Sequence, residues 1–283
     1  MAARRTETER LRPGRGIDNM EADFVNLTTD NIADEHLCCI IRAKAHSGID
    51  AKRKWLSERL KEGHVFRKLD IKGCAFIEYA PLESAWVPID GKNFYYIYCL
   101  WVQGVPKGHG YGRQLMEYCI NDAKAKAKSG VCMLGSAKQK NWLSDQKFAK
   151  KYGFKTVDAT ADGYELLTLS FDGINPKFSP SVKQKIDKKE LTVYYDYQCP
   201  YVFQRVEKLE AYCSGKNILA EFVSVDSLEK AKNLPCVFNN WAVFYNGKFV
   251  TVNQLDGAAV EKIINKSDTT EHKVSGSKAK NPV

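Results

Sequence analysis

Three glycines at alternate positions, Gly108, Gly110 and Gly112, stand between Lys107 and Arg113, with His109 and Tyr111 interleaved. Such a run has almost no side-chain wall, so its backbone N–H groups can close directly on an anion. A strand-like apolar stretch at residues 95–102 precedes it, and Leu115, Met116, Cys119, Ile120, Ala123 and Ala127 follow at helical spacing. The positive end of that helix adds to the amides, which suits a phosphate or pyrophosphate. An ordinary glycine-rich turn between a strand and a helix has the same local pattern. Spacing excludes two nucleotide loops. A triphosphate-binding loop ends in Gly-Lys followed by Ser or Thr. A dinucleotide fingerprint needs glycine at 113 or 115, where Arg113 and Leu115 stand.

Other side chains carry chemistry of their own. Glu78 interrupts a strand that is apolar at Phe76 and Ile77, and reads either as a general base or as a solvent-facing strand residue. Tyr152 lies one helical turn after Phe148, and reads either as a proton donor or as part of that helix's face. Cys199, followed by Pro200, stands where a helix begins, and a helix N-terminus lowers a thiol's pKa. Cys236, beside Pro235, is a candidate second thiol. The nine cysteines form no C-x-x-C pair, and no apolar signal segment opens the chain. Reduced thiols in the cytoplasm are therefore expected, with no metal site.

The elements that must position these residues follow from periodicity. The order expected over residues 20–171 is β-α-α-β-β-β-α-β-α-β-β, with helices at 31–41, 51–60, 112–127 and 141–152. A linker rich in Gly, Pro, Ser and Lys spans 172–190, and a smaller unit of order β-α-β-α-β-β-α spans 191–265. Its last helix is expected at 255–264. Residues 1–19 and 266–283 read as disordered tails. No apolar run approaches the roughly 18 residues of a membrane span. The net charge of +9 is spread over tails and exposed helix faces, so a solvated surface is expected rather than a nucleic-acid site.

Two motifs carry a family resemblance. Lys107, Gly110 and Gly112 match the Q/R-x-x-G-x-G/A loop of the GNAT acetyltransferase superfamily, with lysine in the first place. Asn141, Ser144, Phe148 and Gly153-Phe154 match its N-x-x-A-x-x-x-Y-x-x-x-x-G-F spacing with two substitutions. The chain thus resembles a GNAT protein over residues 20–171, which implies an α/β (α+β) fold with a mixed central sheet. It also implies acetyl-CoA as acyl donor, held by Leu100 and Val102, by Lys107, Gly108, His109, Gly110, Tyr111, Gly112 and Arg113, and by Asn141. The usual acid is a tyrosine where this chain has Phe148, which leaves Tyr152 as the substitute.

The smaller unit resembles the thioredoxin fold. Cys199-Pro200-Tyr201-Val202 is similar to a glutaredoxin C-P-Y-C with its second cysteine replaced, and Pro235 matches the fold's cis-proline. The pair of units resembles the YoaP-type acetyltransferases. The implied activity is acetyl transfer to an amine of a small molecule or peptide. The alternative is thiol-redox or soft-metal handling by Cys199, with the first unit as an acyl-CoA sensor. The stretches expected to select the acceptor, 33–63 and 81–92, carry no motif, and oligomeric state is not legible.

Overall fold

The computed structural model describes residues 23–276, apart from Cys38, 41–45, 71–73, Gln139 and Asn141, with side chains as far as Lys266. The tail expected at 1–19, the end of the chain after 276, and Asn141 lie outside the described residues. The first unit is built from β1 (Phe24–Asn26), α1 (Ser47–Leu60), β2 (Val65–Leu69), β3 (Cys74–Pro81), β4 (Ile89–Asp90), β5 (Phe94–Gln103), α2 (Tyr111–Ala125), β6 (Gly130–Ser136), α3 (Gln146–Lys151), β7 (Lys155–Ala159) and β8 (Tyr164–Ser170). Seven of these strands form one sheet in the order β1-β2-β3-β5-β6-β8-β7. Only the β5–β6 pair is parallel.

The period-2 alternation of the strands gives the sheet two apolar faces. Ile77, Tyr79, Ile97, Met133 and Leu167 point to one face, where Leu115, Met116, Cys119 and Ala123 of α2 cover them. Each fully buried Leu or Met there contributes roughly 1.5–3 kcal/mol. The other face presents Phe76, Ala80, Tyr96, Cys132, Leu134 and Leu166 to α1 and to the second unit.

β5 and β6 pair only from Phe94–Gly130 to Ile97–Met133. Beyond that, β5 stays on β3 as far as Gln103, while β6 stays on β8 as far as Ser136. The strands part where β5 carries an extra residue. Glu78 pairs with Cys99 and Tyr79 with Ile97, leaving Tyr98 as a bulge that bends the strand.

The second unit comprises β10 (Leu191–Tyr195), α4 (Pro200–Gly215), β11 (Ala220–Ser224), α5 (Leu228–Lys232), β12 (Trp241–Tyr245), β13 (Lys248–Thr251) and α6 (Gly257–Gly276). Its sheet runs β11-β10-β12-β13, parallel between β10 and β11 and antiparallel elsewhere. The two units share a core. Phe178, Val237, Phe238 and Val252 pack with Tyr96, Leu134 and Leu166. No helix among the described residues is long and apolar enough to cross a membrane.

Several expectations are corrected. The helix expected at 31–41 is a series of turns at residues 29–34. Asn31 there accepts from the Thr28 amide at 2.8 Å and donates to the Asn26 carbonyl at 3.1 Å, so its side chain closes a turn instead of capping a helix. α3 begins at Gln146 and not at 141, because Trp142 is left-handed (φ 68) and Asp145 caps the helix through the Lys147 amide at 2.8 Å. The linker contains a further strand, β9 (Lys177–Phe178), paired with β4. α6 runs to Gly276, past the boundary expected at 265. The peptide bond before Pro235 is trans, so the cis-proline implied by the thioredoxin resemblance is absent.

Candidate active site

Val102 is next to last in β5, and the glycine loop carries the chain from there into α2. Gly104, Gly108 and Gly110 are left-handed at φ 72, 91 and 79, and a Cβ built on any of them meets nothing within 4 Å. Gly110 is the N-cap of α2. Among the described residues, the amides of Gly108, Gly110, Tyr111 and Gly112 have no partner. Lys107, His109 and Arg113 are exposed around them. Four free amides, a helix N-terminus and an open cradle fit a pyrophosphate.

Along β5, the Leu100 amide points away from β3 and donates to Ser144 Oγ at 3.3 Å. Val102, two residues on, shares that orientation by the alternation of an antiparallel pair. Asn141 lies outside the described residues. Phe148 packs 3.7 Å from where a Cβ on Gly112 would stand. Tyr152 caps the end of α3, with its ring 5.2 Å from that of Phe148. Burial, together with the Glu117 charge, pushes its phenol pKa up.

Where β5 and β6 part, a cavity of about 370 Å³ opens on the α1 face. Glu78 lies on it and is 0% exposed, not solvent-facing. Its carboxylate accepts from Lys52 Nζ at 2.7 Å, from Gln198 Nε2 at 2.8 Å and from His64 Nε2 at 3.1 Å. Burial favours the protonated acid, but the Lys52 ammonium and the His64 bond outweigh it and hold the pKa down to about 2. Burial also lowers the His64 pKa, so that ring is neutral with its proton on Nε2. A carboxylate held by three donors is a weak base.

The second unit supplies the rest of the cavity wall. Lys52 Nζ donates to the Gln198 carbonyl at 2.7 Å, and Asn240 Nδ2 donates to Gln198 Oε1 at 2.7 Å. Behind them Asp196 accepts from the Gln198 amide and from Asn239 Nδ2, each at 2.9 Å. Cys199 lines the cavity as the N-cap of α4. The low thiol pKa expected there is reversed. Burial, with Cys39 beside it, pushes the Cys199 pKa up to about 12, and this exceeds the effect of the helix end. Cys236 is buried among Trp86, Val225 and Leu234 and does not line the cavity, so the structure does not join it to Cys199 there. Cys39 and Cys99 line the cavity with Cys199. Among the described residues no three His, Cys, Asp or Glu side chains are placed to hold a metal ion.

Sequence reasoning missed Lys52, His64, Gln198, Asn239 and Asn240, since none belongs to a motif. The adjacent Asn239-Asn240 pair beside an apolar run was the available signal.

A model of the acetyltransferase (GNAT) family matches residues 29–154, and a YoaP-like model matches residues 220–263. The uncharacterized N-acetyltransferase YoaP of Bacillus subtilis is 35% identical over 246 residues, covering 86% of this chain and 98% of that protein. Among solved structures, a GNAT family acetyltransferase from Brucella melitensis in complex with acetyl-CoA is 16% identical. It covers 56% of this chain and 95% of its own, with a TM-score of 0.37. The PaiA N-acetyltransferase of Thermoplasma acidophilum in complex with coenzyme A is 12% identical, covers 54% and 100%, and has a TM-score of 0.37. The glycine loop, the parted strands and the likeness to YoaP over 86% of the chain converge, and the chain belongs to the GNAT N-acetyltransferase family in its YoaP-type, two-unit form.

Proposed function

We propose that the protein transfers the acetyl group of acetyl-CoA to an amine of a small molecule or peptide. The observation that carries this reading is a continuous path. It runs from the unpartnered amides of Gly108, Gly110, Tyr111 and Gly112, along the β5 edge at Val102 and Leu100, to the cavity where β5 and β6 part. Acetyl-CoA, when bound, supplies the activated thioester. In this reading the loop amides hold its pyrophosphate, with Lys107, His109 and Arg113 around them. The Leu100 and Val102 amides hold its arm once Ser144 releases Leu100. The amine lies in the cavity, held in reach of the acetyl group. Positioning of this kind contributes roughly 7–11 kcal/mol in favourable cases.

Tyr152 remains protonated at neutral pH and serves as the proton donor to the leaving thiolate, since Phe148 has no proton to give. Glu78 acts by fixing Lys52, His64 and Gln198. The second unit, with its β11-β10-β12-β13 order, is read as thioredoxin-like. A redox or soft-metal role for Cys199 needs a thiolate near neutral pH, and burial opposes it. A cytoplasmic setting, in which thiols stay reduced, belongs to the same reading.

Isothermal titration calorimetry with CoA tests the reading. Binding is expected in the micromolar to millimolar range, weakened at least tenfold by G110W, which fills the cradle. Y152F is expected to lower kcat with CoA affinity unchanged. No heat of binding at millimolar CoA overturns the assignment.

A further inference from the structure

The second unit reaches the acceptor cavity with side chains, and its contact with the first unit is close-packed. Gly48 of α1 lies so near the Pro200 carbonyl that an added Cβ would overlap it, and Gln204 Nε2 donates to Ser47 Oγ at 3.3 Å. Within the cavity, Gln198 and Asn240 are 6% and 9% exposed and are bonded into the Lys52–Glu78 pair.

The rim of the cavity differs from the rest of the surface. Trp101, Trp142 and Tyr201 are 42%, 47% and 39% exposed, and all three line this one cavity. Large aromatics in water are costly unless something covers them. Trp142 comes from the first unit and Tyr201 from the first turn of α4. Their ring centroids are 6.1 Å apart, with planes inclined at 62°. The rim therefore closes from both units.

The charges on the wall narrow the ligand. Among the described residues, Lys52 and Glu78 are the ionic residues of the wall, and they are paired at 2.7 Å. Among the described residues of the wall, a second ammonium on the acceptor finds no spare carboxylate, and a carboxylate on the acceptor finds no spare cation. Either would be desolvated without a partner, which disfavours its binding. Most of the remaining wall is aromatic or aliphatic, with Phe76, Tyr96, Tyr98, Leu143 and Phe238. The volume is at the small-molecule end of binding pockets.

Building on the N-acetyltransferase reading, we propose that the second unit completes the acceptor site and selects a small primary amine with an aromatic body and no other charge. Tyr201 and Asn240 are the determinants it contributes. Tyr201 stacks on the aromatic body with Trp142, and Asn240 fixes the Gln198 side chain in the cavity wall.

The test uses the full-length protein with acetyl-CoA and follows N-acetylated product by mass spectrometry. The probes are 2-phenylethylamine, tryptamine, phenylalanine, putrescine and a short peptide with a free N-terminus. The expected result is a kcat/KM at least tenfold higher for 2-phenylethylamine and tryptamine than for the other three. Phenylalanine differs from 2-phenylethylamine only by the carboxylate. Y201A is expected to raise KM for 2-phenylethylamine at least fivefold with the KM for acetyl-CoA unchanged. N240A is expected to do the same, and Y201A, on the exposed rim, keeps the test independent of folding. Preference for phenylalanine, putrescine or the peptide, no product from any probe by a protein that binds CoA, or unchanged selectivity in both variants overturns the proposal alone. Failure to bind CoA at all overturns the N-acetyltransferase reading instead.

Discussion

Asp196 shows how strongly a residue's surroundings govern its chemistry. It is 2% exposed, and burial raises its pKa from 3.8 to about 6, against the lowering effect of Asn239 and the Gln198 amide. The Lys52 ammonium also lowers it and the Glu78 carboxylate raises it. The folded protein therefore holds this proton at a pH where the unfolded chain has released it. The contribution to stability is complete below pH 3.8 and is lost as the pH rises to about 6. Removing the group with D196N is expected to stabilise the protein, relative to the parent, by about 2 kcal/mol more at pH 7.5 than at pH 4.5. Urea denaturation at the two pH values checks this, and parallel behaviour of the two proteins contradicts it. Glu78 has the opposite sign. Its pKa of about 2 places its contribution above pH 4.5, to be lost only as the pH falls towards 2. Nothing in the string of residues separates these two carboxylates, because the difference lies in the partners that folding brings to them.

At the scale of elements, two glycines next to helix starts behave differently. Gly48 sits at the first turn of α1, and alanine there gains roughly 1 kcal/mol of helix propensity. An added Cβ nevertheless overlaps the Pro200 carbonyl, and overpacking against backbone costs typically 1–3 kcal/mol. G48A is therefore expected to lower the melting temperature. G112A places its Cβ 3.6 Å from Val102 and 3.7 Å from Phe148, which is ordinary contact, and its melting temperature is expected to hold or rise. Thermal denaturation of both variants decides the point, and a rise for G48A would show that α1 and α4 are not in close contact. The glycine loop, α2 and the main strands were legible, because each follows from local periodicity and turn chemistry. The turns at 29–34 are not legible in the sequence, because asparagine suits a helix cap and a turn equally and the Thr28 and Asn26 bonds decide between them. The bulge at Tyr98 shifts alternation by a single residue, too little to see in the sequence, yet it lies where the sheet parts.

On the scale of the whole molecule, the two units share one core. Phe178, Val237, Phe238 and Val252 pack with strand residues of the first sheet, and β9 of the linker is paired to β4. Units joined by a large apolar contact unfold together. Differential scanning calorimetry is expected to show one cooperative transition, and two resolved transitions would mean that the units are energetically separate. The sequence by itself determined the family, the glycine loop and most of the order of elements along the chain. These depend on patterns spanning a few turns or strands, where local geometry dictates residue type. Only the tertiary structure decided that Gln198 and Asn240 bond into the Lys52–Glu78 pair, and that Cys199 faces a cavity as a half-buried thiol. Lys52 and Asn240 lie far apart in the chain, and their meeting depends on how the apolar face of one unit covers that of the other. No local pattern encodes that packing.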